Sequence, residues 1–347
     1  VAGLDVTAAS FRQKLYRGTA MLCAAVMLSA CVTTQAGRIG ADDGTDSCRQ
    51  QLVALDSTGN FFAEDILKGA AVGAGAGALG GAAVGGIASG NWRGALIGAA
   101  VGAAAGAAVG AAAGYYNALQ QQGRDQAGLF SQVKGDLRNE NQQLDRTQIA
   151  FDRLRDCRAG QARQIQADFR AGRLSRPQAE NAMAQLRSRS QRDVQLARTI
   201  NGQIGGRSEQ FEVAADKLSP GAQGAIRNAK FQPRSSTLTT NTALRSSPTS
   251  NAPELTNVAA RESVTVKNTR DGFALVETSS GQTGYVPVSA VSGLRAAPVQ
   301  PAVARGGSAD ETEVRTLAAS NAAKRDNFEA SIAVAERAST SGFELAS

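Results

Sequence analysis

The residues able to carry chemistry are few, and their types narrow what the chain can do. Among 347 residues the thiols are Cys23, Cys31, Cys48 and Cys157, and there is no histidine. Without an imidazole, Ser-His-Asp and Cys-His catalysis, His-ligated zinc and a histidine pH switch are excluded. The cysteines show neither a CxxC pair nor a metal-ligand spacing. No paired carboxylates fall in a segment that reads as a pocket-forming fold. No catalytic residue, metal site or cofactor is therefore expected. What remains for the thiols is acylation or disulfide formation, and the surrounding elements decide between them.

The composition argues against one large globular core. Hydrophobic residues make up 42%, but aromatics only 5%, and 38 glycines sit beside abundant alanine. Arg12, Lys14 and Arg17 precede an apolar run from Thr19 to Leu28 that ends in small residues. That is a charged region followed by a short hydrophobic region, too short for a resident membrane helix and suited to an export signal. The residues before Arg12 read as an upstream extension or an alternative start. The tetrad Leu28-Ser29-Ala30-Cys31 then resembles the bacterial lipobox. The resemblance implies cleavage before Cys31, acylation of its thiol and, because Val32 rather than Asp follows, an outer-membrane address. In such a chain Cys23 leaves with the signal. Cys48 and Cys157 remain, either as one disulfide in an oxidising compartment or as two unpaired buried thiols.

From Lys68 to Tyr116 the chain is nearly all Gly, Ala and Val. Gly69, Gly73, Gly77, Gly81 and Gly85 recur at every fourth position. After Ser89-Gly90-Asn91 the register restarts with Gly94, Gly98, Gly102, Gly106, Gly110 and Gly114. Spacing by four places each set on one helix face, where a second backbone can approach closely. In water each glycine costs about 1 kcal/mol relative to alanine, so the helix is obligatory only where solvent does not compete for its hydrogen bonds. Each limb of about 20 residues is roughly 30 Å long, the thickness of a hydrocarbon core. Phe61, Phe62, Lys68, Tyr115 and Tyr116 at the open end, with Trp92 and Arg93 at the tip, suit interfacial anchoring. The limbs carry little apolar bulk, so self-association in lipid is expected. This region resembles the glycine-zipper two-transmembrane family of SlyB-like outer-membrane lipoproteins.

After Gly123-Arg124-Asp125 the apolar residues thin to a coiled-coil seam, Phe130, Val133, Leu137, Leu144, Phe151 and Leu154, continuing through Ile165 and Phe169. Gly172 reads as a terminator and Ser175-Arg176-Pro177-Gln178 as a new start, with Ser175 capping and Gln178 reaching back. Met183, Leu186, Val194, Ala197 and Ile200 carry the seam on. The pattern predicts an antiparallel hairpin, about 126–171 against 176–201, and a third short helix over 207–218 beyond Gly205-Gly206. Residues 120–235 hold 20 Arg/Lys against 12 Asp/Glu, so the chain's net +7 is concentrated here. The stretch reads either as a contact for anionic partners or as a solvated surface of mixed-sign pairs. No aromatic platform interleaves with the arginines, and an exported chain is not expected to meet nucleic acid.

Near the carboxyl end, Ser263–Val266, Phe273–Glu277 and Thr283–Pro287 alternate as short strands separated by polar turns. Together with Ala243-Leu244-Arg245-Ser246-Ser247-Pro248 and Gly281–Val286 they resemble a bacterial SH3-like domain over about 236–294. Phe273 stands where tryptophan is more usual, and Ser246-Ser247 where Ser-Gly is familiar. The resemblance implies binding of cell-wall peptide or a protein partner. Phe273 and Tyr285 are then the candidate ligand contacts, or else ordinary packing residues. Ala309–Ala338 reads as a helix able to dock on the coiled coil.

The expected fold is mainly α: a glycine-zipper membrane hairpin, an antiparallel coiled-coil hairpin and a small SH3-like β-barrel. Its divisions are 1–30 (signal and extension), 31–67 (lipidated linker and short helix), 68–116 (zipper), 117–233 (basic hairpin), 234–295 (SH3-like), 296–308 (linker) and 309–347 (C-terminal helix and tail). The expected role is that of a non-enzymatic outer-membrane lipoprotein, anchored by lipid with its soluble part in the periplasm. It would self-associate, contact membrane lipid, bind peptidoglycan or a periplasmic protein through the SH3-like module, and serve envelope integrity or scaffolding. The alternative is an oligomeric membrane pore, which the lack of charged residues on the zipper faces disfavours.

Overall fold

A long helical hairpin follows from the seam. The computed structural model describes residues 34–63, 114–295 and 306–341. Its helices, in chain order, are α1 (Gln35–Ile39), α2 (Arg49–Ala63), α3 (Gly114–Gln121), α4 (Gln126–Arg170), α5 (Arg176–Leu218), α6 (Ala222–Ala229) and α7 (Ala309–Ser341). Helices α4 and α5 bury the seam residues Val133, Leu137, Leu144, Phe151, Leu154, Met183, Val194, Ala197 and Ile200. Between them Gly172 adopts φ 70°, the left-handed conformation that ends a helix without a Cβ penalty. The Ser175 N–H donates to Gln178 Oε1 at 2.8 Å, which starts α5.

Two expectations change here. The third helix does not exist as a separate element, because α5 continues through Gly205-Gly206 to Leu218. Gly205 marks a close approach rather than a break, since a Cβ there would lie 3.0 Å from Arg325 Nη2 of α7, while Gly206 faces open space. Phe62 and Tyr115 are not interfacial anchors but core residues, buried among α4, α5 and their neighbours. Tyr115 packs edge-on against Phe211 with ring centroids 5.2 Å apart. Its hydroxyl donates to Asp136 at 2.5 Å, and burial and that carboxylate raise the phenol's pKa.

Helix α7 lies along α4 and α5. A ladder of side chains fixes its register: Lys134 to Asp310 at 2.5 Å, Asn141 Nδ2 to the Leu317 carbonyl at 3.1 Å, and Gln148 Nε2 to Ser331 Oγ at 3.1 Å. Asn321 bridges the layer, donating to Asn141 Oδ1 and accepting from Ser208 Oγ, each at 3.1 Å. The buried layer of Asn141, Asn321 and Ser208 disfavours slippage by one turn, which would break these bonds together.

The β-domain is a six-stranded antiparallel sheet ordered β1-β4-β5-β6-β2-β3, formed by β1 (Arg234–Thr237), β2 (Thr242–Arg245), β3 (Glu254–Val258), β4 (Ser263–Arg270), β5 (Phe273–Thr278) and β6 (Thr283–Pro287). Its interior holds Leu244, Val258, Val264, Val266, Val276 and Val286. Strands β5 and β6 are buried on both faces, because their outward residues Leu275 and Tyr285 meet Val334 of α7. Among the described residues no helix is long and apolar enough to cross a membrane.

Candidate functional site

Cys48 and Cys157 form a disulfide, with Cα atoms 5.9 Å apart across a sequence separation of 109. It ties the start of α2 to α4. One turn beyond Leu154 on the same helix, Arg158 closes this end of the bundle. Its guanidinium donates to both oxygens of Asp46 (2.5 and 2.9 Å) and to Asp193 of α5 (2.7 Å through Nε). Burial alone would raise the Asp46 carboxyl, but hydrogen bonds and charge from Arg158 outweigh it and leave it below the ordinary value. Burial prevails at Asp193, which is pushed up.

At its other end α2 meets the level where α3 begins. Phe61 lies under the Arg207 guanidinium, 4.7 Å from ring centroid to Cζ, and Arg207 donates to Glu140 at 2.8 Å. Tyr115 reaches Asp136 and Phe211, one helical turn from Glu140 and Arg207 respectively. The chain thus leaves the described fold at Ala63 and rejoins it at Gly114 within about a turn of the same level. Both flanks are held by packed aromatic side chains. Gly114 opens α3. The other zipper glycines, Gly69, Gly73, Gly77, Gly81, Gly85, Gly94, Gly98, Gly102, Gly106 and Gly110, lie outside the described residues. So do Leu28, Ser29, Ala30 and Cys31 of the lipobox-like tetrad.

The β-domain is docked on the helices through the positions that carried the SH3-like resemblance. Tyr285 is buried, and its hydroxyl lies 3.0 Å from Ser331 Oγ of α7. Phe273 packs beside it against the same helix. Of the two readings open for these aromatics, ligand contact or packing, the geometry favours packing: Tyr285 is buried beneath α7 and Phe273 is half-buried beside it. Ser246 and Ser247 donate through Oγ to the two oxygens of Asp156 on α4, at 2.6 and 2.8 Å. The second serine, where glycine is familiar, therefore has a docking role that sequence reasoning missed; a hydroxyl pair replacing Ser-Gly was the available signal. Arg270 of β4 forms an ion pair with Asp152. Burial raises the Asp152 carboxyl although Arg270 and Arg155 oppose it.

Asp156→Ala is expected to loosen this docking, because two buried hydroxyls lose their acceptor at about 1–3 kcal/mol each at most. Hydrogen exchange should show faster opening of β2 and β6 while the α4–α5 core is unchanged. Equal protection of β2 and β6 in variant and parent would refute the assignment.

Between the hairpin, the β2–β3 end of the sheet and the last turns of α7 lies a cavity of about 660 Å³. Leu154, Arg155, Ala159, Ala162 and Arg163 of α4 form one wall. Leu244, Glu254, Leu255 and Thr256 face them from the sheet, and Ala335, Arg337 and Ala338 close the side. Among the described residues no cluster of metal-ligating side chains is present.

Comparison with known families gives two matches. Residues 48–115 match the YMGG-like Gly-zipper, and residues 240–292 match the bacterial SH3 domain. Both are non-catalytic families that fit a membrane- or envelope-associated protein. No curated protein and no solved structure matches the chain. The zipper match begins at Cys48 and ends at Tyr115, so it includes the packed flank α2 as well as the glycine repeats.

Proposed function

We propose that this chain, which joins a YMGG-like Gly-zipper to a bacterial SH3-like domain, is a non-enzymatic lipoprotein of the outer membrane that scaffolds the cell envelope. Cys31 carries the lipid, the zipper glycines pack membrane-embedded helices of neighbouring copies, and the helical body presents the SH3-like module on the periplasmic side. The module binds cell wall or a periplasmic partner. The observation that carries this reading is the position of the zipper. It is spliced between α2 and α3, whose packed aromatics bring both flanks to one level of the body. A hairpin that enters and leaves a bilayer on one side requires that arrangement.

Membrane fractionation with crosslinking tests it. Cys31→Ser should lose acyl labelling and signal processing. Gly102→Leu/Gly106→Leu should retain the lipid but lose crosslinked multimers, because bulky side chains prevent close backbone approach. Parent protein recovered as a detergent-free soluble monomer would overturn the proposal.

A further inference from the structure

The SH3-like module binds, on the reading above, but Tyr285 is buried beneath α7 and Phe273 is half-buried beside it, which directs a ligand to a more open surface. The cavity beside the β2–β3 end is that surface. At about 660 Å³ it falls within the roughly 300–1,000 Å³ of small-ligand pockets. Three observations fix the chemistry it would accept.

The first is charge. Two carboxylates line the cavity, and arginines engage both: Arg158 holds Asp193 at 2.7 Å, and Arg245 holds Glu254 at 2.9 Å. Arg155 lies within 3.6 Å of Asp152, and Arg337 pairs with Glu277 at 2.5 Å. Arg163 is exposed at the rim and has no ion-pair partner among the described residues. Asp152 is shared with Arg270 and Glu277 with Lys267, so the wall carries a cationic excess, and Arg163 is its one arginine without a carboxylate partner among the described residues. The second is shape. Ala159, Ala162, Ala335 and Ala338 leave room for small groups, and Leu255 stands 42% exposed beside them, an unusual position for a large apolar side chain in this fold. The third is the backbone. Strand β3 ends the sheet, paired to β2 on one side and to no strand on the other among the described residues. Its first three residues line the cavity, so unpaired peptide groups are available for strand addition.

We infer that this cleft, built jointly by the helical hairpin, the sheet edge and α7, binds a short acidic peptide. The peptide extends along β3, sets its carboxylate on Arg163 and lays small aliphatic side chains against the alanines and Leu255. A fatty acid shares the carboxylate and the aliphatic character but has no peptide groups to pair with the strand.

The test uses the full-length protein in detergent micelles and fluorescence polarisation of labelled N-acetyl-Ala-Glu-Ala-Ala-amide, whose carboxylate is the partner for the Arg163 guanidinium. Ala-Lys-Ala-Ala-amide and octanoate serve as comparison probes. Saturable binding of the acidic peptide is expected, weakened at least about tenfold by Arg163→Glu and by Leu255→Glu through charge repulsion. Arg163→Glu should also reverse the preference towards the lysine peptide, whereas Arg124→Glu, near the far end of α4, should leave binding unchanged. Thermal unfolding of each variant confirms that these exposed positions do not disturb the fold. The inference is overturned by absence of saturable peptide binding, by equal binding of the lysine peptide, by unaltered binding in both cavity variants, or by octanoate displacing the peptide at equal concentration. None of these results bears on the fractionation experiment, which reads Cys31 and the zipper glycines, so the two proposals fail separately.

Discussion

Replacing residues 64–113 with a flexible linker of about six residues, in a chain beginning at Val32, should yield a protein that is monodisperse without detergent. It should unfold at nearly the parent's temperature. Both flanks already carry their own packing: Leu52, Leu55 and Phe62 on α2, and Tyr115 and Leu119 on α3, are buried against the long helices. They end within about one turn of the same level, and six residues reach about 20 Å. None of the buried residues named above belongs to the excised stretch, so the hydrophobic stabilisation of the body should be retained. Circular dichroism, size-exclusion chromatography and thermal melting read the outcome. An aggregated product, or one without a cooperative transition, would show that the zipper is part of the fold rather than an insertion in it.

The second large effect concerns the disulfide. Cys48→Ser/Cys157→Ser should cost about 4–5 kcal/mol in the parent by the loop-entropy relation for a separation near 100 residues, read as a lower urea midpoint with a steeper slope as the freed unfolded chain expands. The excised chain sharpens the test. Removing the zipper shortens the closed loop by nearly half, and halving a loop changes closure entropy by only about 0.6 kcal/mol. The disulfide should therefore matter almost as much without the zipper as with it. A loss below about 1 kcal/mol in both backgrounds would mean that α2 is held by packing alone.

Periodicity exposed the long elements well. The seam from Phe130 to Leu154, the turn at Gly172 and the Ser175–Gln178 start all follow from spacing and cap chemistry, and all lie in the hairpin core or its connection. Gly205-Gly206 misled, because a glycine pair signals either chain reversal or close approach of another element, and only the position of Arg325 decides between them. Phe62 misled for a related reason. Next to a glycine zipper an aromatic suits a membrane interface, yet Leu52, Leu55 and Phe62 also form a stripe at threes and sevens, the mark of a helix that packs in water. Strands β1 to β3 were hidden in a stretch rich in Ser, Thr and Asn. Their residues are mostly exposed or half-buried, so hydrophobic alternation is weak there.

The β-domain was legible in outline, but its orientation was not. Tyr285 could be identified as an aromatic position of the resemblance. Nothing local revealed that Ser331 of α7, 46 residues further along the chain, would cover it. The double burial of β5 and β6 was the available clue: Phe273-Ala274-Leu275-Val276 is an apolar run rather than an alternation, and such runs belong to strands covered on both faces. The cavity was invisible for the same reason, since its walls come from three elements distant in sequence.

The splice between α2 and α3 also has a mechanical side. The level shared by Phe61, Tyr115, Asp136 and Glu140 lies about 15–20 Å from the start of α4, whereas the turn at Gly172 lies roughly 50 Å further along the hairpin. If the zipper anchors the protein as proposed, the body is a lever held near one end. A tilt of about 30° at that anchor would carry the Arg170, Arg173 and Arg176 tip through roughly 25 Å, so rocking at the membrane becomes a wide sweep at the outer end.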